Sequence, residues 1–243
     1  MNDIVNEDKI RINKFLSKYG HCSRRYGDEL ISRGLVFINN ETASLGSIVS
    51  KNDKVYIKSG NKLTEIKREV KFVYLAFNKP LGITCTTYKN DKSNIIDFIN
   101  YKERIFPIGR LDKNSHGLIL LTNDGDIVNK ILRSENNHEK EYLVKVNTPI
   151  TEEFLNKMRK GVRILNQMTK PCKVSKVDDI SFKIILTQGL NRQIRRMCDT
   201  LGYRVIYLKR IRVLNIKLGN LKLGTYRHLE KHELEKLFSL IEK

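Results

Sequence analysis

Apolar residues in the first sixty positions recur first at helical spacing and then at strand spacing. Four of them fall at positions i, i+3, i+4 and i+7 of one helix face: Ile12, Phe15, Leu16 and Tyr19. Ser23 can cap a second helix, which continues to Gly34. Strand-like runs follow at residues 35–38 and 54–57, separated by turn-rich sequence. The pattern predicts a small self-contained module over residues 9–58.

A larger domain is predicted after a polar segment. Residues 59–71 are polar and weakly periodic, which is typical of a linker. Beyond them the pattern predicts six strands, at residues 72–77, 118–121, 142–146, 182–186, 204–208 and 213–218. It also predicts two helices, one between Thr151 and Gly161 and one over about 191–201. This mixture favours an α+β domain over residues 72–243, with a mixed, largely antiparallel sheet, over a doubly wound domain.

The charge of the chain points to a polyanionic partner. Lys and Arg total 46 against 27 Asp and Glu, a formal net charge of +19. Such a protein attracts nucleic acids, although a protein from a generally basic proteome would also carry a high positive charge. An anionic membrane surface is disfavoured because no segment forms a long basic amphipathic helix with a bulky apolar face. No apolar run reaches the roughly 20 residues that cross a bilayer, and the acidic N-terminus does not resemble a secretory signal. We therefore expect a cytoplasmic protein without a membrane partner.

The cysteines give no sign of a metal site or a disulfide framework. They are widely scattered and form no C-x-x-C pair: Cys22, Cys85, Cys172 and Cys198. The histidines do not cluster with cysteines or carboxylates at ligand spacing. We therefore predict that the protein binds no metal.

Basic residues on the two N-terminal helices are candidates for phosphate contact. Arg11, Lys14 and Lys18 share one stripe of the first helix. Arg24 and Arg25 begin the second helix, where the exposed backbone N–H groups also favour an anion. Each of these residues taken singly is best read as part of a solvated helix face. Five positive charges on two adjacent short helices favour binding to phosphates.

Three segments of the larger domain combine polar residues with adjoining apolar runs. Asp112 follows Gly109, Arg110 and Leu111 and stands just before an apolar strand. A loop held by rigid structure often carries function, although an isolated Asp there is more often a turn residue. Tyr142 lies on an alternating strand, where packing in the core is the usual role of a tyrosine.

The third segment is an arginine-rich helix near residues 191–201. Ile194 and Met197 share its apolar face, so Arg192 and Arg196 project towards solvent or RNA. Arg195 lies at the border of that face, where a guanidinium can be buried while it pairs with a carboxylate. An exposed arginine-rich helix with no partner would show the same spacing.

Together these segments resemble the Rsu-like family of ribosomal RNA pseudouridine synthases, and most closely its RluF-type branch, which acts on 23S ribosomal RNA. The resemblance is carried by Gly109-Arg110-Leu111-Asp112 with Ser115 and Gly117, by Asn78-Lys79-Pro80-Leu81-Gly82, and by Gln193-Ile194-Arg195. The N-terminal module is similar to the small RNA-binding domain first described in ribosomal protein S-four, the alpha-L motif.

The resemblance implies a role for each candidate residue. Asp112 is the expected catalytic carboxylate, and Arg195 is expected to pair with it and keep its pKa low. Tyr142 is expected to stack on the flipped uracil and to assist deprotonation at carbon-5. Arg110 is expected to fill the place that the flipped base leaves. The resemblance leaves open whether Asp112 attacks the ribose, attacks the base or removes a ribose proton.

The resemblance also implies the partners. We expect a monomer that needs no cofactor, because the reaction is redox-neutral, and that binds large-subunit ribosomal RNA. Expected RNA contacts in the arginine motif are Asn191, Arg192, Gln193 and Arg196. Alternatives are another ribosomal RNA target, a transfer RNA as a second substrate, and a non-catalytic RNA-binding factor for ribosome assembly.

Overall fold

The chain folds into two compact units. A computed structural model of the protein describes residues 9–132 and 137–242. The first unit ends at Phe72 and also takes in Asn123–Gly125, and the second comprises Val73–Thr122 and Asp126–Lys243. Within the described ranges, no helix is long and apolar enough to span a membrane.

The N-terminal unit combines two helices with short strands. Its elements are β1 Lys9–Arg11, α1 Ile12–Lys18, α2 Arg24–Ser32, β2 Val36–Ile38, β3 Glu41–Thr42, β4 Ile48–Ser50, β5 Val55–Ser59 and β6 Lys62–Glu65. The hydroxyl of Ser23 accepts a hydrogen bond from the backbone N–H of Tyr26 and caps α2, as its sequence predicts. One sheet has the order β3-β2-β5-β6, and β1 pairs with β4. The predicted apolar face of α1 is buried at Ile12, Phe15 and Leu16.

The segment predicted as a linker, residues 59–71, contributes to this unit. Within it β6 pairs with β5, and Ile66 is buried in the core. The guanidinium of Arg68 donates to the carbonyls of Ser50 and Asp53, each at 2.7 Å, and lies 4.8 Å from the ring centroid of Phe15. The apolar pattern missed β6 because all four of its residues are exposed, so the strand shows no apolar alternation.

The larger unit is built around one extensive sheet. Its first elements are β7 Tyr74–Lys79, α3 Ile95–Ile99, β8 Phe106–Ile108, β9 His116–Thr122, α4 Gly125–Leu132 and β10 Lys140–Val146. Then follow α5 Glu152–Lys160, β11 Arg163–Ile164, β12 Gln167–Met168, β13 Lys173–Lys176, β14 Ser181–Leu186 and α6 Gln193–Thr200. The last are β15 Val205–Val213, β16 Ile216–Lys217, β17 Tyr226–His228 and α7 Lys231–Ile241.

The sheet is mixed and largely antiparallel, which confirms the predicted fold class. Its strands have the order β13-β14-β10-β15-β9-β7-β17, with β16 paired to β15 and β8 paired to β9. Only the β15–β9 pair is parallel among the described strand pairs. Two apolar clusters include residues from opposite faces of β9: Leu118 and Leu120 in one, and Ile119 and Leu121 in the other.

The first of two separately predicted strands, residues 204–208, extends further than predicted, and most of the second, residues 213–218, forms the separate strand β16 after a turn. A single strand, β15, runs without a break to Val213. The apolar pattern is interrupted between them by Arg210 and Arg212, so the sequence predicted a gap. The strand continues because Arg210 donates to the carbonyl of Leu118, while Arg212 pairs with Glu139 and Glu141.

Candidate active site

A large cleft in the second unit brings the predicted catalytic segments together. It has a volume of about 1210 Å³, and its walls include residues 84–87, 106–113 and 187–192. A smaller recess of about 120 Å³ shares several of its lining residues. Arg110, Asp112 and Tyr142 line both. The structure therefore places two of the three predicted catalytic side chains in one cavity.

The loop that carries Asp112 is held on both sides of the carboxylate. It connects β8 with β9, and Gly109 opens it with a φ of +79°, in the left-handed region that glycine adopts readily. Leu111 is buried, and its backbone N–H donates to Sγ of Cys85. The backbone N–H of Ser115 donates to the Asp112 carbonyl at 3.0 Å. Asp112 is half-buried on a loop whose backbone is fixed by its neighbours.

The register of four neighbouring strands aligns four residues in one row across the sheet. Tyr142 on β10 is opposite Arg210 on β15, which is opposite Gly117 on β9, which is opposite Lys79 on β7. Residues opposite each other on neighbouring strands share a face of the sheet. Gly117 has a φ of +102°, and a Cβ there would overlap the backbone of Arg210. Glycine is therefore required where β9 and β15 approach each other.

Two buried cations belong to this row. Nζ of Lys79 donates to the carbonyls of Pro80 at 2.9 Å and Ile83 at 2.8 Å, and Nε of Arg210 donates to the Leu118 carbonyl at 2.7 Å. Among the described residues neither side chain forms an ion pair. Burial lowers the pKa of Lys79, whereas the nearby Cys85 and Asp112 act in the opposite direction. Both cations therefore donate their hydrogen bonds to backbone carbonyls, and Asp112 acts on Lys79 only through space.

The predicted ion pair between Arg195 and Asp112 is wrong. The Arg195 guanidinium donates to the carbonyl of Asn114 at 2.7 Å and to the Ser115 hydroxyl at 3.4 Å, two and three residues after Asp112. It also donates to the Val205 carbonyl at 3.3 Å. Burial and Arg192 lower the pKa of Arg195, and Asp112 opposes that effect through space. Arg195 lies on α6, and its guanidinium therefore contacts residues 114–115 of the loop rather than the Asp112 side chain.

The four residues predicted to contact RNA in the arginine motif differ in their exposure and in their hydrogen bonds. Arg192 is exposed and lines both the cleft and the recess. Arg196 donates to the carbonyl and the side-chain oxygen of Asn191, each at 3.1 Å, so these two residues hold each other. Gln193 is 4% exposed and its Oε1 accepts from the backbone of Leu190, although it also lines the recess. Gln193 organises the loop before α6 because its side chain turns back onto it.

The basic residues predicted in the N-terminal unit differ in exposure. Arg11, Arg24 and Arg25 are exposed, whereas Lys14 and Lys18 are half-buried. Arg24 is the first residue of α2, as expected for a side chain near an exposed helix N-terminus.

Three cations of the larger unit were not among the predicted site residues. Lys79 was noted only as part of a motif, and Arg210 and Lys140 were not singled out. Lys140 lines the cleft beside Tyr142, and burial together with Arg210 lowers its pKa.

The fold places the candidate residues around one cleft, and comparison with known proteins specifies the class of protein. A family model described as RNA pseudouridylate synthase matches residues 73–200, and one described as S4 domain matches residues 10–55. The chain belongs to the RNA pseudouridylate synthases and carries an N-terminal S4 domain.

Individual relatives agree over almost the whole chain. The protein is 51% identical over 236 residues to the dual-specificity RNA pseudouridine synthase RluF of Escherichia coli, which covers 97% of this chain and 81% of that protein. It is 34% identical over 240 residues to the ribosomal large subunit pseudouridine synthase B of Bacillus subtilis, covering 95% and 96%. A crystal structure of a pseudouridylate synthase superposes with a TM-score of 0.68 at 30% identity, covering 94% of this chain and 99% of the other.

Proposed function

We propose that this chain isomerises a uridine of 23S ribosomal RNA to pseudouridine, with Asp112 as the essential carboxylate. The observation that carries the proposal is the convergence of Asp112, Tyr142 and Arg110 on one recess. The target follows from the relatives, since one is named RluF and another a large-subunit synthase. The words "dual-specificity" in the name of the Escherichia coli relative favour a transfer RNA as a second substrate.

The recess suits a single base that has left its stack. A uracil inside a helix cannot be turned over, so it has to be extruded into a pocket. The volume of about 120 Å³ accommodates one base but not a base pair. Arg110 is exposed at the entrance and can occupy the vacated position in the RNA, while the ring of Tyr142 stacks on the extruded uracil.

The reaction exchanges one glycosidic bond for another. The bond from ribose carbon-1′ to nitrogen-1 breaks, the bond to carbon-5 forms, and the proton lost from carbon-5 is balanced by one gained at nitrogen-1. Asp112 has to be ionised whether it attacks the ribose, attacks the base or removes a ribose proton. We assign assistance in the deprotonation at carbon-5 to Tyr142.

Arg195 acts in this proposal as a positioning residue. Its bonds to Asn114 and Ser115 hold the chain directly after Asp112, so its removal would let the carboxylate drift from the reacting atoms. Its charge adds to the field of the two buried cations.

The RNA is held by charges on both units in this proposal. Arg192 contributes at the cleft, and Asn191 with Arg196 support the loop that carries it. Arg11, Lys14, Lys18, Arg24 and Arg25 contact phosphates through the N-terminal unit. In this proposal the enzyme acts as a cytoplasmic monomer, and it needs no cofactor because the reaction is redox-neutral.

Mapping of pseudouridine with a carbodiimide reagent tests this proposal. We expect total RNA from cells that lack the gene to lose one 23S signal, and the wild-type gene to restore it. Asp112→Asn should not restore the signal, although the purified variant should still bind RNA. Loss of a 16S signal instead would overturn the target, and additional loss of a transfer RNA signal would establish the second substrate. An unchanged map would favour a non-catalytic assembly factor.

A further inference from the structure

A closed loop between β7 and α3 carries an exposed tyrosine next to the cleft. We propose that Tyr88 stacks on an unpaired base adjacent to the modified uridine, while Lys89 and Lys92 contact the neighbouring phosphates. This inference rests on the proposed function, because it requires an RNA strand in the cleft. It assigns a substrate-binding role to a loop that lies outside the residues singled out from the sequence.

The two ends of the loop are fastened to each other. Thr84 and Ser93 are joined by a backbone hydrogen bond of 2.8 Å and by their hydroxyls, which lie 3.1 Å apart. The backbone N–H of Ile95 donates to the Thr84 carbonyl at 2.9 Å, at the start of α3. A loop with such a closed neck behaves as a compact unit of the surface.

Hydrogen bonds inside the loop fix its conformation. The backbone N–H of Tyr88 donates to the hydroxyl of Thr86, and the N–H of Asp91 donates to the Tyr88 carbonyl. The Asp91 carboxylate accepts from both the backbone and the hydroxyl of Ser93, which lowers its pKa. These bonds arrange the loop before any ligand arrives, so binding costs little ordering entropy.

The loop is anchored to the segment that carries the catalytic carboxylate. Thr86 and Thr87 line the cleft together with Asp112. Nζ of Lys113, the residue after Asp112, donates to the Ser93 hydroxyl at 3.1 Å. A strand of RNA whose uridine enters the recess therefore has neighbouring nucleotides within reach of this loop.

The chemistry of the loop matches that of single-stranded RNA. Tyr88 is 63% exposed, belongs to none of the apolar clusters and forms no aromatic pair among the described residues. Its hydroxyl accepts from Asn90 at 2.9 Å, which restrains the ring. Lys89 and Lys92 are exposed on either side, while the single carboxylate of the loop is used internally. An aromatic face flanked by lysines binds stacked bases and phosphates without reading the base.

Kinetics on an RNA fragment that contains the mapped uridine test the role of Tyr88. We expect Tyr88→Ala to raise KM about tenfold, as expected for loss of one stacked base, with kcat changed by less than about twofold. Tyr88→Phe should keep the wild-type KM because it retains the ring. Tyr226→Ala is the matched control, since it removes another exposed tyrosine that lies outside the lining of the cleft.

A fluorescent base gives a readout that a purely structural role would not change. With 2-aminopurine at one of the two positions beside the target uridine, binding of wild type and Tyr226→Ala should quench the fluorescence, and binding of Tyr88→Ala should not. A wild-type KM and full quenching in Tyr88→Ala would overturn the inference. An inactive wild-type enzyme on every RNA would instead contradict the proposed function. A lowered midpoint of thermal unfolding in Tyr88→Ala but not in Tyr88→Leu, with both variants at the raised KM, would still support stacking.

Discussion

The N-terminal unit and the cleft of the larger unit are both basic, but they hold their charges differently. On the N-terminal unit Arg24 and Arg25 are exposed at the start of α2. In the larger unit Lys79 is 0% and Arg210 is 4% exposed. Exposed charges keep their hydration and contribute affinity that salt screens, whereas buried charges act through a medium of lower dielectric constant. In the proposed function the first kind attracts RNA, and the second prepares the site for reaction.

The partners of the buried cations make this contrast sharper. Lys79 and Arg210 donate to backbone carbonyls. Arg212, two residues beyond Arg210, instead pairs with Glu139 at 3.0 Å and Glu141 at 2.8 Å. The same strand therefore carries one arginine that is paired with carboxylates and one that donates to a backbone carbonyl.

The largest expected effect comes from the glycine that lets the cleft strands approach each other. Gly117→Ala should lower the free energy of unfolding of the larger unit by about 2–4 kcal/mol, because the new Cβ overlaps the Arg210 backbone at a positive φ. Denaturant unfolding measures the change. Gly219→Ala is the matched control, since its φ is +55° and no atom lies within 4 Å of the added Cβ. Equal losses in the two variants would mean that the positive φ alone causes the loss of stability, and that the overlap with Arg210 does not.

A smaller effect is expected where Arg195 holds the chain after Asp112. Arg195→Lys keeps the charge but loses the planar donors that contact Asn114 and Ser115. We expect kcat to fall about tenfold or more, with KM close to that of wild type. Arg196→Lys is the control on the same helix, because among the described residues its side chain hydrogen-bonds to Asn191 and not to the loop after Asp112. A rise in KM with unchanged kcat would contradict the positioning role.

The smallest effect is expected from the exposed charges of the N-terminal unit. Replacing both Arg24 and Arg25 by Gln should weaken RNA binding several-fold. It should also make the negative slope of log K against log salt shallower by about 0.7–0.9 for each phosphate that the variant no longer neutralises. Titrations at several salt concentrations measure the slope. Arg33→Gln is the control, as it removes an exposed arginine at the far end of α2 that pairs with Glu29 at 3.8 Å. The contrast between the two units would fail if kcat fell in the double variant.

Local signals predicted much of the fold because they depend on few residues. Thr151 accepts from the backbone of Phe154 at the start of α5, and Gly161 follows its end, both at the positions the sequence indicates. The alternation of Tyr142, Val144 and Val146 correctly placed these residues against one core. The edge strand β6 was missed because none of its residues is buried, so its sequence shows no alternation of apolar and polar residues.

The candidate site was predictable only in part. Asp112 and Tyr142 meet in one recess as the motifs suggest, because each motif lies at the end of a strand or loop with a strong local signature. The hydrogen-bond partner of Arg195 was predicted wrongly, and the burial of Gln193 was not foreseen. Helical spacing gives the direction of a side chain but not the identity of the loop that packs against it.

The sequence by itself determined the class of protein and the order of its two parts, and it predicted candidate residues for the chemistry, since these follow from local periodicity and from long motifs. The tertiary structure decided which atoms meet. The register of β10, β15, β9 and β7 places Tyr142, Arg210, Gly117 and Lys79 in one row, although they are widely separated in the chain. Strand register depends on the packing of the whole sheet, so pairings of this kind cannot be read from neighbouring residues alone.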